Sequence, residues 1–355
     1  MCVNAPKVGN LDMASVKVIM VAGHFASGKT VLVMKIADIL TKRGHRVGLL
    51  INDIGPVDYR MVASLSNYPV EEVAKHCLCF KQNELKQALR KLLAADHDII
   101  VIEAIGFGDP HKCWTTLSEV LPTISSYTEL GALTVVVDGE LLARAQQGSG
   151  SSLHPIMAQQ LSEAEIIVIN KVDLVGLESL NGLKETVEKT NERAKILYLS
   201  ALTGMGVDGL VELLLASKWS APRPKAPEGI KRRRSEWCSS LAWSAYVVNL
   251  QLGDAEAITE VVGKTLLEMA RGIIKARGEI VRIKAYCDNA AGRVYLSITP
   301  DLRIEYRPGD YTGEKVKGLK FSVSCIAKGI VEGDMATALK EALSQFNGNF
   351  LITKL

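Results

Sequence analysis

The chain has 355 residues, a length that suggests about two domains, and its 42 basic and 39 acidic residues leave a net charge of only +3. This balance argues against a polyanionic partner, and an aromatic content of 5% leaves little surface for stacking unpaired bases, so we expect no nucleic-acid partner. Seven scattered cysteines and a start without a secretory signal favour thiols in a reducing compartment. Because the apolar runs are far shorter than the roughly 20 residues of a membrane-spanning helix, we expect a cytoplasmic protein without a membrane partner.

The first 216 residues alternate between short apolar runs and segments of helical period. Strands are predicted at 16–22, 46–51, 98–102, 132–138, 165–169 and 195–199, and helices at 30–43, 71–75, 82–95, 114–125, 178–193 and 207–216. Continuous apolar strands separated by helices are typical of a parallel sheet covered on both faces. We therefore predict an α/β domain with a doubly wound, mostly parallel sheet.

The pattern changes after residue 218. Three prolines between 222 and 227, followed by the basic run 231–234, predict a stiff, extended and solvated linker, although such a run could also bind phosphate. Beyond it, strands at 241–252, 279–287, 294–299, 303–306 and 319–327 and helices at 255–275 and 334–346 predict a smaller α+β domain. The predicted organisation is an N-terminal extension at 1–15, a first domain at 16–218, a linker at 219–235 and a second domain at 236–355. A glycine–serine stretch at 148–152 is predicted to be a mobile loop within the first domain.

Residues 23–30, Gly-His-Phe-Ala-Ser-Gly-Lys-Thr, match the P-loop pattern G-x-x-x-x-G-K-[ST] between a predicted strand and a predicted helix. The glycines allow successive backbone N–H groups to point at a phosphate, at the positive end of the helix dipole. Lys29 is expected to reach the β- and γ-phosphates, and the Thr30 hydroxyl is expected to bind Mg²⁺. The loop residues assigned to the nucleotide are Gly23, Ala26, Ser27, Gly28, Lys29, Thr30 and Val31. The first domain is therefore predicted to be a P-loop NTPase.

Two acidic residues follow predicted strands, at the sheet edge where ligands gather in this fold. Asp53 comes after the second strand, and Glu103 comes after the strand at 98–102. Phosphoryl transfer needs carboxylates that hold Mg²⁺ or its waters and place the attacking water, so both are assigned to Mg²⁺ with Thr30. Gly106 is expected to offer its N–H to the γ-phosphate. Lys29, Asp53, Glu103 and Gly106 are the predicted catalytic residues.

Residues 170–173, Asn-Lys-Val-Asp, follow another apolar strand and predict the base site. The Asp173 carboxylate can accept hydrogen bonds from guanine N1–H and the N2 amino group, and adenine has no matching donor pair. Asn170 can bond base or loop groups, and the stem of Lys171 can cover one face of the base. The segment after the next strand, Ser200, Ala201 and Leu202, can contact the base O6 through backbone N–H groups. The predicted ligands are GTP and GDP.

A second chemical feature is the segment His76-Cys77-Leu78-Cys79. Two thiols in an extended segment point the same way and could hold one soft ion, with His76 as a third donor. A closed structural zinc site needs four ligands, so this segment predicts an open, exchangeable site or one completed by another chain. Buried inert thiols are the alternative, and Cys113 is either a further ligand or a core cysteine.

These residues together resemble the CobW/HypB/UreG family of metal-insertion GTPases, most closely its CobW-like branch, over most of 16–216. The resemblance lies in five segments: 23–30, Asn52–Gly55, Cys77–Cys79, Glu103–Gly106 and Asn170–Asp173. It implies slow GTP hydrolysis with Mg²⁺, nucleotide-gated delivery of a metal such as Zn²⁺, Co²⁺ or Ni²⁺ to a client protein, and formation of a homodimer.

This chain departs from the family pattern at the metal motif, because Phe80 stands where the family has a third cysteine and no histidine follows His154. One hypothesis is a GTP-hydrolysing metallochaperone, with His76 replacing the lost thiolate. A second is a GTPase switch or chaperone for a cofactor-dependent enzyme, such as a corrinoid enzyme, that carries no metal itself. A third is an ATP-dependent kinase that shares the P-loop, and Asp173→Asn distinguishes it.

Overall fold

The computed structural model describes residues 15–147, 153–176, 179–218, 226–289, 292–299, 302–306 and 315–355. Residues 1–14 of the predicted N-terminal extension, the glycine–serine loop and residues 219–225 of the predicted linker lie outside these ranges. Within them, no helix is long and apolar enough to cross a membrane.

The first domain is built on an eight-stranded sheet in which every neighbouring pair is parallel. Its strands are β1 (Val16–Gly23), β2 (Val47–Asp53), β3 (Val70–Ala74), β4 (Ile99–Glu103), β5 (Thr128–Leu130), β6 (Thr134–Asp138), β7 (Ile166–Asn170) and β8 (Lys195–Tyr198). The order is β3-β2-β4-β1-β6-β7-β8, and β5 pairs with the first half of β1. The predicted doubly wound parallel sheet is therefore confirmed.

Helices cover both faces of this sheet. They are α1 (Lys29–Lys42), α2 (Val57–Leu65), α3 (Gln82–Ala94), α4 (Pro110–Ile124), α5 (Gly139–Gln147), α6 (Pro155–Glu163), α7 (Leu180–Thr190) and α8 (Val207–Ala216). Successive side chains of a strand point to opposite faces, so Val18 and Met20 join the core under α3, α4 and α6. Ile19 and Val21 join the core under α1, α2 and α8. Burial on both faces is why these strands are continuously apolar.

The second domain is a six-stranded antiparallel sheet in the order β12-β11-β10-β13-β9-β14. Its strands are β9 (Leu241–Ala257), β10 (Glu279–Asn289), β11 (Gly292–Ile298), β12 (Ile304–Tyr306), β13 (Lys315–Lys328) and β14 (Gly348–Lys354). Helices α10 (Ile258–Lys275) and α11 (Glu332–Ser344) pack on one face and close a separate apolar core. This arrangement confirms the predicted α+β class.

The other face of the second sheet packs against the first domain. The strand β10 shows this alternation after an irregularity in register between Ile280 and Arg282. Ile283 and Cys287 point into the core under α10 and α11. Tyr286 points the other way and belongs to the core of the first domain. Arg282 and Lys284 share the Tyr286 side of the strand and are therefore directed at the first domain.

Two predicted segments are wrong in conformation. Residues 71–74 of the predicted helix 71–75 belong to β3, because their backbone is paired with β2, from Leu49 opposite Val70 to Asp53 opposite Ala74. The basic run 231–234 lies within α9 (Glu228–Ser239) rather than in an extended linker. Pro227 directly precedes this helix, a place where a proline does not interrupt helical hydrogen bonds. Trp237 and Cys238 of α9 pack against the core under α3, α4 and α6, which holds this helix on the first domain.

Candidate functional site

The predicted nucleotide residues converge at the carboxyl ends of neighbouring parallel strands. Gly23 ends β1, Asp53 ends β2, Glu103 ends β4 and Asn170 ends β7. In doubly wound sheets ligands bind in the crevice outside these strand ends. A cavity of about 370 Å³ lies there. From the predicted set it is lined by Ala26, Gly28, Lys29, Thr30, Glu103, Asn170, Lys171, Asp173, Ser200, Ala201 and Leu202, with Val31 also on its wall.

The phosphate loop approaches the base segment closely at Gly28. This glycine has a left-handed backbone with φ 88°, and a Cβ there would lie 2.3 Å from the amide nitrogen of Asn170. Only glycine combines that conformation with that contact. The next residue, Lys29, is buried, and its Nζ donates to the carbonyl oxygen of His24 at 3.0 Å. Burial lowers the pKa of Lys29 to about 8. The Ser27 hydroxyl is also buried and has no hydrogen-bond partner among the described residues.

Two buried carboxylates face the start of α1. The hydroxyl of Thr30 donates to Oε1 of Glu103 at 2.8 Å, and Asp53 accepts a hydrogen bond from Arg282 at 2.8 Å. The second oxygens, Oε2 of Glu103 and Oδ2 of Asp53, are buried without a partner in the described part of the chain. Burial raises the pKa of both carboxyls, that of Glu103 to about 7. Unpartnered carboxylate oxygens beside a threonine hydroxyl are hard donors of the kind that Mg²⁺ prefers, so this donor set fits the ion.

Gly106 lies against the phosphate loop. A Cβ at this position would be 2.7 Å from the ring of Phe25. The carbonyl oxygen of Gly106 accepts a hydrogen bond from the side chain of Gln160, on α6, at 3.2 Å. The segment after Glu103 is therefore held between the phosphate loop and α6.

Asn170 joins the two loops that border the base region. Its Nδ2 donates to the carbonyl oxygen of Ser27 at 2.8 Å, and its Oδ1 accepts from the N–H of Ala201 at 2.9 Å. Lys171 has a left-handed backbone and an ion pair with Asp138 at 2.8 Å, which holds its side chain along the cavity. Asp173 is exposed and lies on the cavity wall. Asn170 therefore holds the two loops together, and among the described residues no hydrogen bond or ion pair engages the Asp173 carboxylate.

The second domain supplies the opposite wall of the cavity. Its contribution includes Arg282, Lys284, Tyr295 and Glu305. The Lys284 ammonium lies 2.6 Å from both carboxylate oxygens of Asp58, and the hydroxyl of Tyr295 donates to the same carboxylate at 3.2 Å. Sequence reasoning missed these residues. The available signal was the alternation of cations with apolar residues, Arg-Ile-Lys-Ala, in the predicted strand 279–287.

The thiols form a cluster beside this site. After Cys77 the chain enters a 3₁₀ turn, Leu78–Phe80, which brings Sγ of Cys79 to 2.9 Å from Sγ of Cys77. Cys113, on the first turns of α4, contributes a third thiol, with its Sγ 3.0 Å from that of Cys77. All three are buried, and hydrogen bonds from Cys113 and Cys79 lower the pKa of Cys77 to about 4.

His76 does not lie with these thiols, so its predicted place in the donor set is wrong. It is exposed, and its ring stands edge-on to Trp243 at a centroid distance of 5.5 Å. The turn after Cys77 directs the following residues into the domain and leaves His76 outside. Among the described residues, Cys77, Cys79 and Cys113 form the group of three Cys, His, Asp or Glu side chains whose donor atoms all lie within 4.8 Å of one another. Phe80, which occupies the third cysteine position, is exposed and carries the Lys112 ammonium 3.9 Å from its ring centre.

One buried amide connects the thiols with the nucleotide residues. Nδ2 of Asn52, the residue before Asp53, donates to the carbonyl oxygens of Val73 and His76 at 2.7 and 2.8 Å. Its Oδ1 accepts from the N–H of Leu78 at 3.1 Å and from that of Ile105 at 3.4 Å. The same side chain therefore holds the backbone on both sides of Cys77 and the segment that follows Glu103.

Comparison with known proteins decides the family. Residues 17–198, just over half of the chain, match the model of the CobW/HypB/UreG nucleotide-binding domain. The chain belongs to the CobW/HypB/UreG family. The match is to the nucleotide-binding domain of that family, so the predicted family is confirmed.

This CobW/HypB/UreG protein has relatives whose names refer to zinc. It is 28% identical over 195 residues to the zinc-regulated GTPase metalloprotein activator 1 of Schizosaccharomyces pombe, covering 51% of this chain and 45% of that protein. It is 27% identical over 198 residues to the zinc chaperone CobW of Pseudomonas aeruginosa, covering 47% and 52%. The chain thus spans about half the length of these two relatives. The hydrogenase maturation factor HypB from Archaeoglobus fulgidus covers 57% of this chain and 89% of its own, at 22% identity and a TM-score of 0.38.

Proposed function

We propose that this protein is a GTP-hydrolysing metallochaperone that delivers or installs a transition metal or metallocofactor into a client protein. Guanine recognition is assigned to Asp173, and the phosphates to the loop that ends at Thr30. Support comes from the convergence of both segments on one cavity. Since the two zinc-related names belong to relatives, Zn²⁺ is the first cargo to test.

Hydrolysis in this proposal is carried by residues already close together. Lys29, which lines the cavity, binds the β- and γ-phosphates and offsets their charge. Thr30, Asp53 and Glu103 would hold Mg²⁺, which supplies charge neutralisation at the phosphates. Gly106 contributes its N–H at the γ-phosphate end, where a larger residue would press on Phe25.

The cargo site in this proposal is the group of three thiols. Cys77 and Cys79 come from the family motif, and Cys113 takes the place of the third cysteine that Phe80 has replaced. Thiolates are soft ligands suited to Zn²⁺ and to other late transition metals. Three protein ligands leave one position open in a tetrahedral ion, which is what an exchangeable cargo needs.

The observation that carries the proposal is the hydrogen-bonding of Asn52. Its amide bonds both sides of Cys77 and also Ile105, two residues beyond Glu103. Cys113 itself lies ten residues after Glu103 in the chain, so both ends of the thiol group are tied to segments that carry nucleotide residues. A shift of Asp53 or Glu103 on GTP binding would therefore move the thiols relative to one another.

The test is a Zn²⁺ titration against a chromogenic chelator, with nucleotide-free protein, with GDP and with a non-hydrolysable GTP analogue. We expect the Zn²⁺ affinity to differ between the nucleotide states by about 5- to 150-fold, the usual range of coupling between two sites. Asn52→Ala should reduce this difference while leaving one Zn²⁺ per chain. Equal affinity in all three states would overturn the proposal.

Matched cysteine variants test the donor set. Cys113→Ser removes a ligand and should lower Zn²⁺ affinity by more than the roughly 10- to 100-fold that loss of an outer hydrogen bond costs. Cys287→Ser, a change of a buried thiol in the second domain, should leave affinity unchanged. Unchanged affinity of the Cys113 variant would remove this residue from the site.

A second candidate is the GTPase switch for a cofactor-dependent enzyme that carries no metal. The burial of all three thiols favours it, since none is more than 6% exposed. In that case the wild-type protein hydrolyses GTP but binds no Zn²⁺, and the Cys77→Ser/Cys79→Ser double variant hydrolyses GTP at the wild-type rate.

A further inference from the structure

Arg282 of the second domain reaches the nucleotide cavity of the first. Its guanidinium donates to Asp53 at 2.8 Å, across 229 residues of sequence, and only 8% of its side chain is exposed. The centre of the guanidinium lies 5.5 Å from the ring centre of Phe25, which is a residue of the phosphate loop. Arg282 lines the same cavity as Lys29 and Glu103.

The ion pair with Asp53 does not by itself explain why an arginine is buried at position 282. Removing two charges from water costs about as much as their attraction returns, so buried pairs contribute little net stability. A guanidinium carries five N–H donors, and the structure gives Arg282 one hydrogen bond among the described residues, with a second carboxylate, that of Asp58, at 4.0 Å. Its neighbour Lys284 is held on Asp58 by two contacts of 2.6 Å. Lys284 is thus committed to a carboxylate, whereas Arg282 retains donors for an anion in the cavity.

We propose that Arg282 is a catalytic residue for GTP hydrolysis, supplied by the second domain of the same chain. Its N–H groups donate to the oxygens of the γ-phosphoryl group as that group transfers. A water oxygen forms a bond to the γ-phosphorus, the bond from that phosphorus to the β–γ bridging oxygen breaks, and GDP leaves with the electron pair. One hydrogen of the water stays on the attacking oxygen, the other is transferred as a proton to another oxygen of the phosphate released, and Arg282 stays protonated throughout.

The inference rests on the proposed GTP hydrolysis and adds a role for the second domain. Arg282 lies on β10. Lys284, the next residue on the side of this strand that faces the first domain, is anchored on Asp58 of α2. The strand therefore presents the guanidinium at a set place above the phosphate loop. GTP bound in this cavity would lie between the two domains, and hydrolysis would require their docking.

The experiment measures single-turnover GTP hydrolysis and nucleotide affinity of wild type, Arg282→Ala and Arg282→Lys. An arginine that contacts the transferring phosphoryl group is worth about 10³- to 10⁵-fold in rate, so we expect the alanine variant to hydrolyse GTP on the order of 10³-fold more slowly. Its GDP affinity should stay within about threefold, because GDP has no γ-phosphate. The GDP–aluminium fluoride complex, which mimics the transferring group, should form with wild type and not with Arg282→Ala. Lysine keeps the charge but loses the planar fork, and should restore only part of the rate.

Arg60→Ala is the matched control for domain docking. Arg60, on α2, donates to the hydroxyl of Ser322 in the second domain at 2.6 Å and does not line the nucleotide cavity. We expect it to hydrolyse GTP within about threefold of wild type, because the change removes one partly buried interface hydrogen bond away from the cavity.

The possible outcomes distinguish a failure of the role of Arg282 from a failure of the proposed GTP hydrolysis. Wild type without GTP hydrolysis overturns the proposed function and the inference together. Wild-type hydrolysis with an equally fast Arg282→Ala, or equal losses in Arg282→Ala and Arg60→Ala, overturns the inference alone. If Arg282→Ala does not fold, Arg282→Lys decides, and full wild-type rate and aluminium fluoride binding in that variant overturn the inference.

Discussion

Replacing Lys284 by methionine leaves the carboxylate of Asp58 without its closest cation at the domain interface. The pair is deeply buried, with side-chain exposures of 8% and 2%, and the ammonium lies 2.6 Å from both carboxylate oxygens. Methionine has a similar length and removes the charge with little change in volume. The variant therefore tests whether the second domain covers the nucleotide cavity in solution as it does in the structure.

The expected loss in the free energy of unfolding depends on the contacts that Asp58 keeps in the Lys284→Met variant. Removing one partner of a buried ion pair costs about 3–5 kcal/mol, because the other charge stays buried. Here the Tyr295 hydroxyl still donates at 3.2 Å, and the Arg282 guanidinium remains at 4.0 Å. Both contacts partly compensate the charge of Asp58, so we expect the free energy of unfolding to fall by about 3 kcal/mol, the lower end of that range. In the Asp58→Asn/Lys284→Met double variant neither charge remains, and the loss should be smaller than the sum of the single losses by about 2 kcal/mol.

The assay is urea unfolding of the nucleotide-free protein, followed by tryptophan fluorescence. Trp243 packs against the core of the first domain from β9, so it reports on this interface. Lys317→Met, a change of an exposed lysine on β13 of the same sheet, is the control and should shift the free energy of unfolding by less than about 0.5 kcal/mol. A loss below about 1 kcal/mol for Lys284→Met, with single losses that simply add in the double variant, would refute the reasoning.

Three further changes test other parts of the molecule. Asp173→Asn places an amide opposite the donors of guanine and should weaken GDP binding about 100-fold in a displacement titration, while ATP, measured in parallel, stays weak. Burial raises the pKa of Glu163 from 4.5 to about 7, and the charge of Asp109 adds to the shift. Between these pH values the unfolded chain loses the Glu163 proton more readily than the native state, so the free energy of unfolding falls as the pH rises. Glu163→Gln should therefore gain up to about 3 kcal/mol over wild type on going from pH 5 to pH 8 in urea unfolding, and a pH-independent difference would contradict this. Gly55→Ala puts a Cβ 2.6 Å from that of Ala245 across the interface, so it should lower the unfolding midpoint and slow hydrolysis together.

Much of the first domain could be predicted because its signals are local. The strand before the phosphate loop, the loop itself and α1 are contiguous, and the glycine spacing and apolar period specify them without reference to distant residues. The strand β3 could not be predicted, because five residues form no stable helix alone and pairing with β2 decides their conformation. The short helix α6 buries polar residues such as Gln159, Gln160 and Glu163 together with its apolar ones, so it lacks the separate apolar and polar faces that reveal a surface helix.

The thiol site illustrates the limit of spacing as a guide. Cys77 and Cys79 are two residues apart, and their proximity follows from any tight turn between them. His76 is equally near in sequence, yet the backbone directs it outward to Trp243. Cys113 is 36 residues away from Cys77 and reaches it because α4 packs beside the turn. The number of residues between two positions does not predict contacts that arise from such packing.

By itself the sequence determined the parallel α/β fold, the second α+β unit and the family, since short motifs and hydrophobic period are properties of neighbouring residues. Tertiary structure alone decided which side chains face the cavity from the second domain. Arg282 lies 229 residues from Asp53, and the irregularity in β10 sets which of its side chains point at the first domain. A shift of one residue in a strand reverses every side chain, so this choice depends on how two sheets pack rather than on any local pattern.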